Sequence, residues 1–287
     1  MRPSLLPHFS LALALTLAQT PGTPALAQSG PPPVASATTD PIVPAPKASD
    51  WTKLGKLPDW TGTWSPDISD QNDQIKTNPV PWKPDVQKQV DHWTAEEKAG
   101  RPKGLLINCL PHGTPTFILI SHNALEILFT PGRVTILGES DGSRLRRIWT
   151  DGRKLPDDPD PSFHGYSVGH WEGDTLVVET KGILPQAYLA VSEAVGIPSN
   201  GDMTVTERIH LKDPDTLAFD LEITAPHILT RPWKTTRLYE RRRERSFEIV
   251  EGVCHQGDFE EGKDEWGNSI YVPAHQQDGN VLPRPSE

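Results

Sequence analysis

The stretch Gly165–Thr180, GYSVGHWEGDTLVVET, reads as two strands joined by the short polar turn Glu172-Gly173-Asp174. Side chains alternate between the faces of a strand, so Tyr166, Val168 and His170 share one side and Ser167, Gly169 and Trp171 the other. In the second strand Leu176, Val178 and Thr180 oppose Thr175, Val177 and Glu179. Period-two alternation on both sides of a glycine turn marks an antiparallel hairpin. A lone hairpin is at best marginally stable in water, so this one must belong to a larger sheet.

The same pattern recurs along the chain. Strand signals stand in DWTGTWSP (59–66), TFILISHN (116–123) and ALEILFTPGRVTILGES (124–140), the last broken by a turn at Pro131-Gly132. They continue in SRLRRIWTDGR (143–153), MTVTERIHLKDPDTLAFDLEIT (203–224), WKTTRLYERR (233–242) and SFEIVEGVC (246–254). Counted with the opening hairpin they give about nine or ten antiparallel strands in up-and-down order. An all-β barrel removes the sheet edges that so many consecutive hairpins would expose, with a β-sandwich as the alternative. Gly62-Thr63-Trp64 is similar to the Gly-x-Trp opening of lipocalins. Val86, Val90 and Trp93 fall at helical spacing behind Pro84 and ahead of Gly100, predicting one amphipathic helix over 84–99. The segment 184–196, LPQAYLAVSEAVG, is a candidate for a second short one.

The ends read differently. One positive charge at Arg2, the apolar core LALALTLA (11–18) and the small residues Ala25-Leu26-Ala27 before Gln28 describe a secretory signal peptide over 1–27. Residues 28–50 are rich in Pro and Ala and poor in bulky apolar side chains, the composition of a disordered linker. The expected organisation is a single β-barrel domain over 51–274 and a flexible tail over 275–287, in a protein that is periplasmic or secreted. No membrane insertion is expected, since no other apolar run approaches the length of a span. The net charge is −10, and the densest basic run, RLYERRRERSFE (237–248), is interleaved with glutamates. Nucleic acid needs a basic face that neutralises phosphates, so this balance argues against such a partner. The two cysteines, Cys109 and Cys254, read as a disulfide in an oxidising compartment, with a catalytic cysteine as the rival reading. Closing a loop of about 145 residues contributes about 4–5 kcal/mol in the chain-entropy model.

The segments CLPHGTP (109–115), TPGRVTIL (130–137), RRIWTDGRKLPDDPDPSFHGYSVGHWEGDTLVVET (146–180), TERIHLKDPDTL (206–217) and TRPW (230–233) carry a resemblance. Together they are similar to a widespread family of exported bacterial proteins, common in sphingomonads and acidobacteria, to which no mechanism is assigned. The resemblance covers most of the chain after residue 50 and implies an exported β-rich domain, with both cysteines at the family's positions. Where the family has histidines near residues 199 and 204, this chain reads PSNGDMTVTER (198–208). Chemistry that rests on those histidines is absent here or moves to His112 or His164.

The chain is read as holding no Gly-x-Ser-x-Gly elbow, His-Glu-x-x-His, Cys-x-x-Cys, P-loop or helix-opening Gly-x-Gly-x-x-Gly, so no organic cofactor and no structural zinc are expected. His112, His164, His170 and His255 match no metal-ligand template, and the acidic loop LPDDPDPSF (155–163) reads as a rigid proline turn rather than a calcium site. The candidate site is one of faces. Glu207 stands between Val205 and Ile209 on the apolar side of its strand, and Leu145, Arg147 and Trp149 share a face that is expected to point inward. A barrel cavity would then gather Glu207 and His170 as proton carriers, Tyr166 as hydrogen-bond donor and Arg147 as anion holder. The competing reading is a buried Glu207–Arg147 pair that fixes strand register, with Tyr166 and His170 at a rim. Of the nine tryptophans, Trp60, Trp64, Trp149 and Trp171 fall in strands as packing, and Trp82, Trp93 and Trp233 lie where a pocket can form. Trp149, His112 and Trp233 are the candidates for substrate binding.

Two functions follow. One is an exported cofactor-free lyase, isomerase or hydrolase, acting by acid–base chemistry on a small apolar or aromatic molecule in the barrel. The other is a periplasmic, non-catalytic carrier of such ligands. A structural protein, the third possibility, requires an interior filled with side chains.

Overall fold

The computed structural model describes residues 44–101, 110–120, 122–139, 144–192, 194–250 and 259–273. The signal peptide, most of the linker, the tail, His255, and Cys109 and Cys254 with their expected disulfide lie outside the described residues.

In chain order the elements are α1 (Ala48–Leu54), β1 (Thr63–Pro66), α2 (Ile68–Thr77), α3 (Pro84–Lys98), α4 (Thr116–Leu119), β2 (Leu125–Thr130), β3 (Arg133–Gly138) and β4 (Arg144–Trp149). There follow β5 (Tyr166–Glu172), β6 (Thr175–Lys181), β7 (Tyr188–Ala190), β8 (Gly196–Pro198), β9 (Thr204–Asp213), β10 (Thr216–Thr224), β11 (Trp233–Arg242), β12 (Phe259–Lys263) and β13 (Ser269–Pro273). Nine of these strands close a barrel in the order β1-β11-β10-β9-β6-β5-β4-β3-β2, which excludes the sandwich. The order is not strictly up-and-down. β4 and β5 run parallel and pair only at Ile148↔Ser167 and Trp149↔Val168, whereas the barrel's other described neighbours are antiparallel. Between β4 and β5 the chain leaves the wall through 150–165, and that excursion makes the parallel seam.

The interior is packed with side chains. Trp64, Ile136, Ile148, Leu176, Val178, Ile209, Leu217 and Phe219 are fully buried and belong to one continuous core. At one end Trp60, Phe129 and Trp171 form a plug with ring centroids 5.2–5.8 Å apart. Arg241 lies 4.4 Å from the Trp64 ring centroid and donates to the carbonyls of Asp59 and Thr61, which anchors the chain entering β1. At the other end sits α4. Its four residues are all buried, Tyr239 donates to the carbonyl of Ile118 at 3.2 Å, and Arg237 donates through Nε to that of Leu119 at 3.0 Å. Burial pushes the Arg237 guanidinium down to about 10.

Three local expectations are corrected. The stretch 116–123 was expected as a strand, yet Thr116–Leu119 is helical. A segment buried on every side and in no strand ladder has to satisfy its backbone internally, as Phe117 and Ile120 do by donating to Gly113 and Thr116. The segment 184–196 was a helix candidate, but β7 and β8 form a small hairpin there. It is tied to α4 through Thr116, whose hydroxyl takes a hydrogen bond from the amide of Ala190 at 3.2 Å. Finally, 246–250 forms no strand: a turn with the Phe247 amide on the Glu244 carbonyl leads away from β11, and Arg242 covers the Phe247 ring.

The amphipathic helix runs over Pro84–Lys98, with Val86 and Val90 buried and proline in its first turn. α2 is capped by Asp67, whose carboxylate accepts from the amide of Asp70 at 2.9 Å. It continues where β1 stops, alongside β11, held by bonds from the Asp67 amide to the Leu238 carbonyl and from Asn78 to that of Lys234. No helix of the described residues is long and apolar enough to cross a membrane.

The fit of α4 in the barrel mouth can be tested at Gly138. A Cβ there would lie 2.4 and 2.5 Å from ring atoms of Phe117. Gly138→Ala should therefore lower stability by about 1–3 kcal/mol, read as a lower urea midpoint at unchanged slope. Adding Phe117→Leu should return part of the loss, and a Gly138→Ala protein as stable as wild type would refute this packing.

Candidate functional site

Alternation along β9 sends Val205, Glu207 and Ile209 into the barrel, and Glu207 is 0% exposed. A carboxylate in such a place needs a cation and hydrogen bonds. Arg146, itself 1% exposed, supplies both. Its Nη1 donates to Glu207 Oε1 at 2.8 Å and its Nη2 to Oε2, a two-pronged contact of guanidinium on carboxylate. Nη2 also donates to Thr180 Oγ1 at 3.1 Å and Ser167 Oγ at 3.3 Å, and these hydroxyls share a 2.8 Å hydrogen bond. Four strands, β4, β5, β6 and β9, thus meet at one polar centre, separate from the buried Arg237 of β11.

The inward arginine is Arg146 and not Arg147, which corrects the expected face. Leu145, Arg147 and Trp149 point outward, with Leu145 44% exposed. Tyr166 and His170 also lie on the outer face, while Ser167 and Gly169 turn inward. The inner position at Gly169 is small for a steric reason. A Cβ on Gly169 would sit 3.0 Å from Ile148 and 3.1 Å from Leu176. His170 faces Glu172 at 3.3 Å in an exposed group with Arg208, four positions along β5 from Tyr166. Glu207, Arg147, Tyr166 and His170 therefore do not converge in one cavity.

Three of the expected residues do come together, outside the barrel. Beside the parallel seam lies a groove of about 560 Å³ whose walls include Arg144, Arg147, Trp149, Phe163, His164 and Tyr166, with Ser167 at its floor. Arg153 sets its aromatic wall. That guanidinium grips both oxygens of Asp151 at 2.6–3.0 Å, donates to the Tyr166 hydroxyl at 2.9 Å and lies 3.9 Å from the Trp149 ring centroid. The contact holds the Asp151 carboxyl below its usual range and raises Arg153 further. Gly113 lets the opposite wall approach: with φ +71° it brings the chain so near that a Cβ would lie 2.4 Å from the Phe163 carbonyl oxygen, which accepts from the Thr114 amide.

The remaining candidates are elsewhere. Trp233 is in the core with its indole nitrogen donating to the Asn78 carbonyl, and His112 is half-buried and does not line the groove, although its neighbour Pro111 does. Trp82 is buried, and Trp93 donates to Asp264 in the turn between β12 and β13. Among the described residues no group of three or more His, Cys, Asp or Glu is placed to hold a metal.

Two features of the site are masked in the sequence. Arg146, one position from the expected partner, was hidden by three arginines in the six residues of β4. The pentapeptide Gly165-Tyr166-Ser167-Val168-Gly169 carries the Gly-x-Ser-x-Gly spacing that the chain was expected to lack. Its serine lies within β5, buried and bonded to Thr180 and Arg146, with another strand after it. A nucleophile elbow instead exposes its serine on a turn between strand and helix.

No protein-family model and no curated protein matches the chain. Among solved structures it is similar to the REP1-NXSQ fatty acid transporter, at 12% identity and TM-score 0.31, over 64% of this chain and 96% of that one. Two point variants of the fluorescent protein UnaG match at 18% and 16% identity with TM-scores of 0.26 and 0.29, over 42% and 64% of this chain and 73% and 97% of theirs. Likeness at this level carries no argument about ligand or chemistry.

The polar centre makes a thermodynamic prediction. Glu207→Leu or Arg146→Met alone strands a buried charge and should cost about 3–5 kcal/mol in urea unfolding. The double variant should recover most of that, since two apolar side chains replace a pair that gave up its hydration. Single variants within about 1 kcal/mol of wild type would contradict the buried pair.

Proposed function

We propose that the protein is an exported binding protein or carrier that holds a small apolar or aromatic molecule in the groove beside the β4–β5 seam. The observation that carries this reading is the pre-set aromatic wall: Arg153 fixes Trp149 and Tyr166 at the edge of about 560 Å³ of space. Ligand pockets of this size, about 300–1,000 Å³, commonly pair aromatic walls with a few placed polar groups. Fixing two rings in advance removes part of the ordering cost of binding. Acid–base turnover by Glu207 draws no support from its position, because Arg146 engages both carboxylate oxygens and the side chain has no exposure.

Fluorescence titration with a panel of phenols, indoles, steroids and terpenoids should give saturable quenching by at least one compound. Trp149→Ala should weaken that compound roughly tenfold or more, with unfolding unchanged and no product by mass spectrometry. If no compound binds, or binding is indifferent to Trp149, the groove is not the site. Turnover that disappears in a folded Glu207→Gln protein would restore the enzymatic reading. Export predicts a mature chain that starts at Gln28 in the periplasmic fraction or medium and, in denaturant, no titratable thiol from Cys109 or Cys254.

A further inference from the structure

Charge separates this groove from two other surface pockets. A pocket of about 370 Å³ beside α2 includes Arg208 and Lys234 with Asp220 and Glu222, and a pocket at the end of β11 includes Arg241 and Arg243 with Asp215, Glu240 and Glu244. Both mix the two signs, as a solvated surface does. The groove at the seam has Arg144, Arg147 and His164 in its wall and no carboxylate among its described lining residues. It does so in a chain whose net charge is −10.

The arginines of β4 and the turn after it have divided fates. Arg146 is bound to Glu207 and Arg153 to Asp151. Arg147 has no carboxylate within ion-pair distance among the described residues, and it is exposed on the groove side. It stands two positions before Trp149 on the same face of β4, so the guanidinium and the indole are roughly 6–7 Å apart at their roots. Arg153 covers the Trp149 ring at 3.9 Å and Arg133 lies 5.9 Å from the same centroid, and the indole still contributes to the groove wall. A flat ring packed on Trp149 and Tyr166 would bring a substituent at its edge to Arg147. The substituent that suits a planar guanidinium fork is a carboxylate, which accepts two parallel hydrogen bonds.

We propose that the ligand of this groove is an aromatic carboxylate, its ring against Trp149 and Tyr166 and its carboxylate on Arg147. The inference rests on the groove-binding reading above and names the chemical class that reading leaves open.

Paired probes test it: benzoate with benzamide and 2-naphthoate with 2-naphthamide, titrated calorimetrically into the full mature protein at low and high salt. The carboxylates should bind roughly tenfold tighter than their neutral amides at low salt, with the gap narrowing as salt rises. Arg147→Gln should erase the gap without changing amide affinity or thermal unfolding, and Arg147→Lys should keep only part of it. Equal binding of acid and amide in the wild type overturns the carboxylate inference and leaves groove binding standing. A gap that survives Arg147→Gln also overturns it, since the anion then sits elsewhere. Failure of both members of both pairs to bind overturns the carboxylate inference. Groove binding falls with it only when the neutral panel also fails.

Discussion

The two-pronged contact between Arg146 and Glu207 is the constraint around which the barrel is arranged. Two ions removed from water lose several kcal/mol of hydration each, which only close mutual contact and further hydrogen bonds return. Ser167 and Thr180 add those bonds, so the centre draws on four strands at once. A one-residue slip of any of them would replace a required polar group with a neighbour of the wrong kind. At β4 it would put Leu145 or Arg147 where Arg146 belongs, and at β5 Tyr166 or Val168 in place of Ser167. The pair thus fixes register, while net stability comes from the apolar interior on either side of it.

The same interior explains why the candidate binding surface lies outside. Tryptophans, isoleucines and Phe219 fill the space between the aromatic plug and α4, and the polar centre occupies the middle. The seam of β4 and β5 is where the regular wall is interrupted. Two parallel residue pairs hold it together, and the excursion over 150–165 supplies both the far wall and Arg153. Ser167 belongs to both regions, with its hydroxyl on the buried pair and its position at the groove floor.

Much of this was legible from residue patterns. The hairpins around Glu172-Gly173-Asp174 and Asp213-Pro214-Asp215, the helix opened by Pro84, and the inward side of β9 all follow from periodicity and turn chemistry. Faces failed where periodicity was weak. In RLRRIW either alternation is plausible, because Leu145 and Trp149 argue for one face and Ile148 for the other. In YSVGHW Tyr166 and His170 were candidates for the interior, yet the inner face takes Ser167, Gly169 and Trp171. Ile148, Leu176 and the Arg146 guanidinium leave room only for small side chains at the first two. The apolar run Thr116–Leu119 looks like a strand by composition, yet it joins no strand ladder and satisfies its backbone within a short helix.

By itself the sequence determined a many-stranded antiparallel architecture with one amphipathic helix, and a glutamate that had to face inward. Local backbone preferences and the two-residue period suffice for that, since each depends on neighbours in the chain. Tertiary structure decided the rest: which arginine meets Glu207, that β4 and β5 run parallel, and that Trp149, Tyr166 and Arg147 border a groove rather than the core. Those outcomes depend on volume and on desolvated charge among residues dozens of positions apart, and one strand read alone carries no information about the space its neighbours leave.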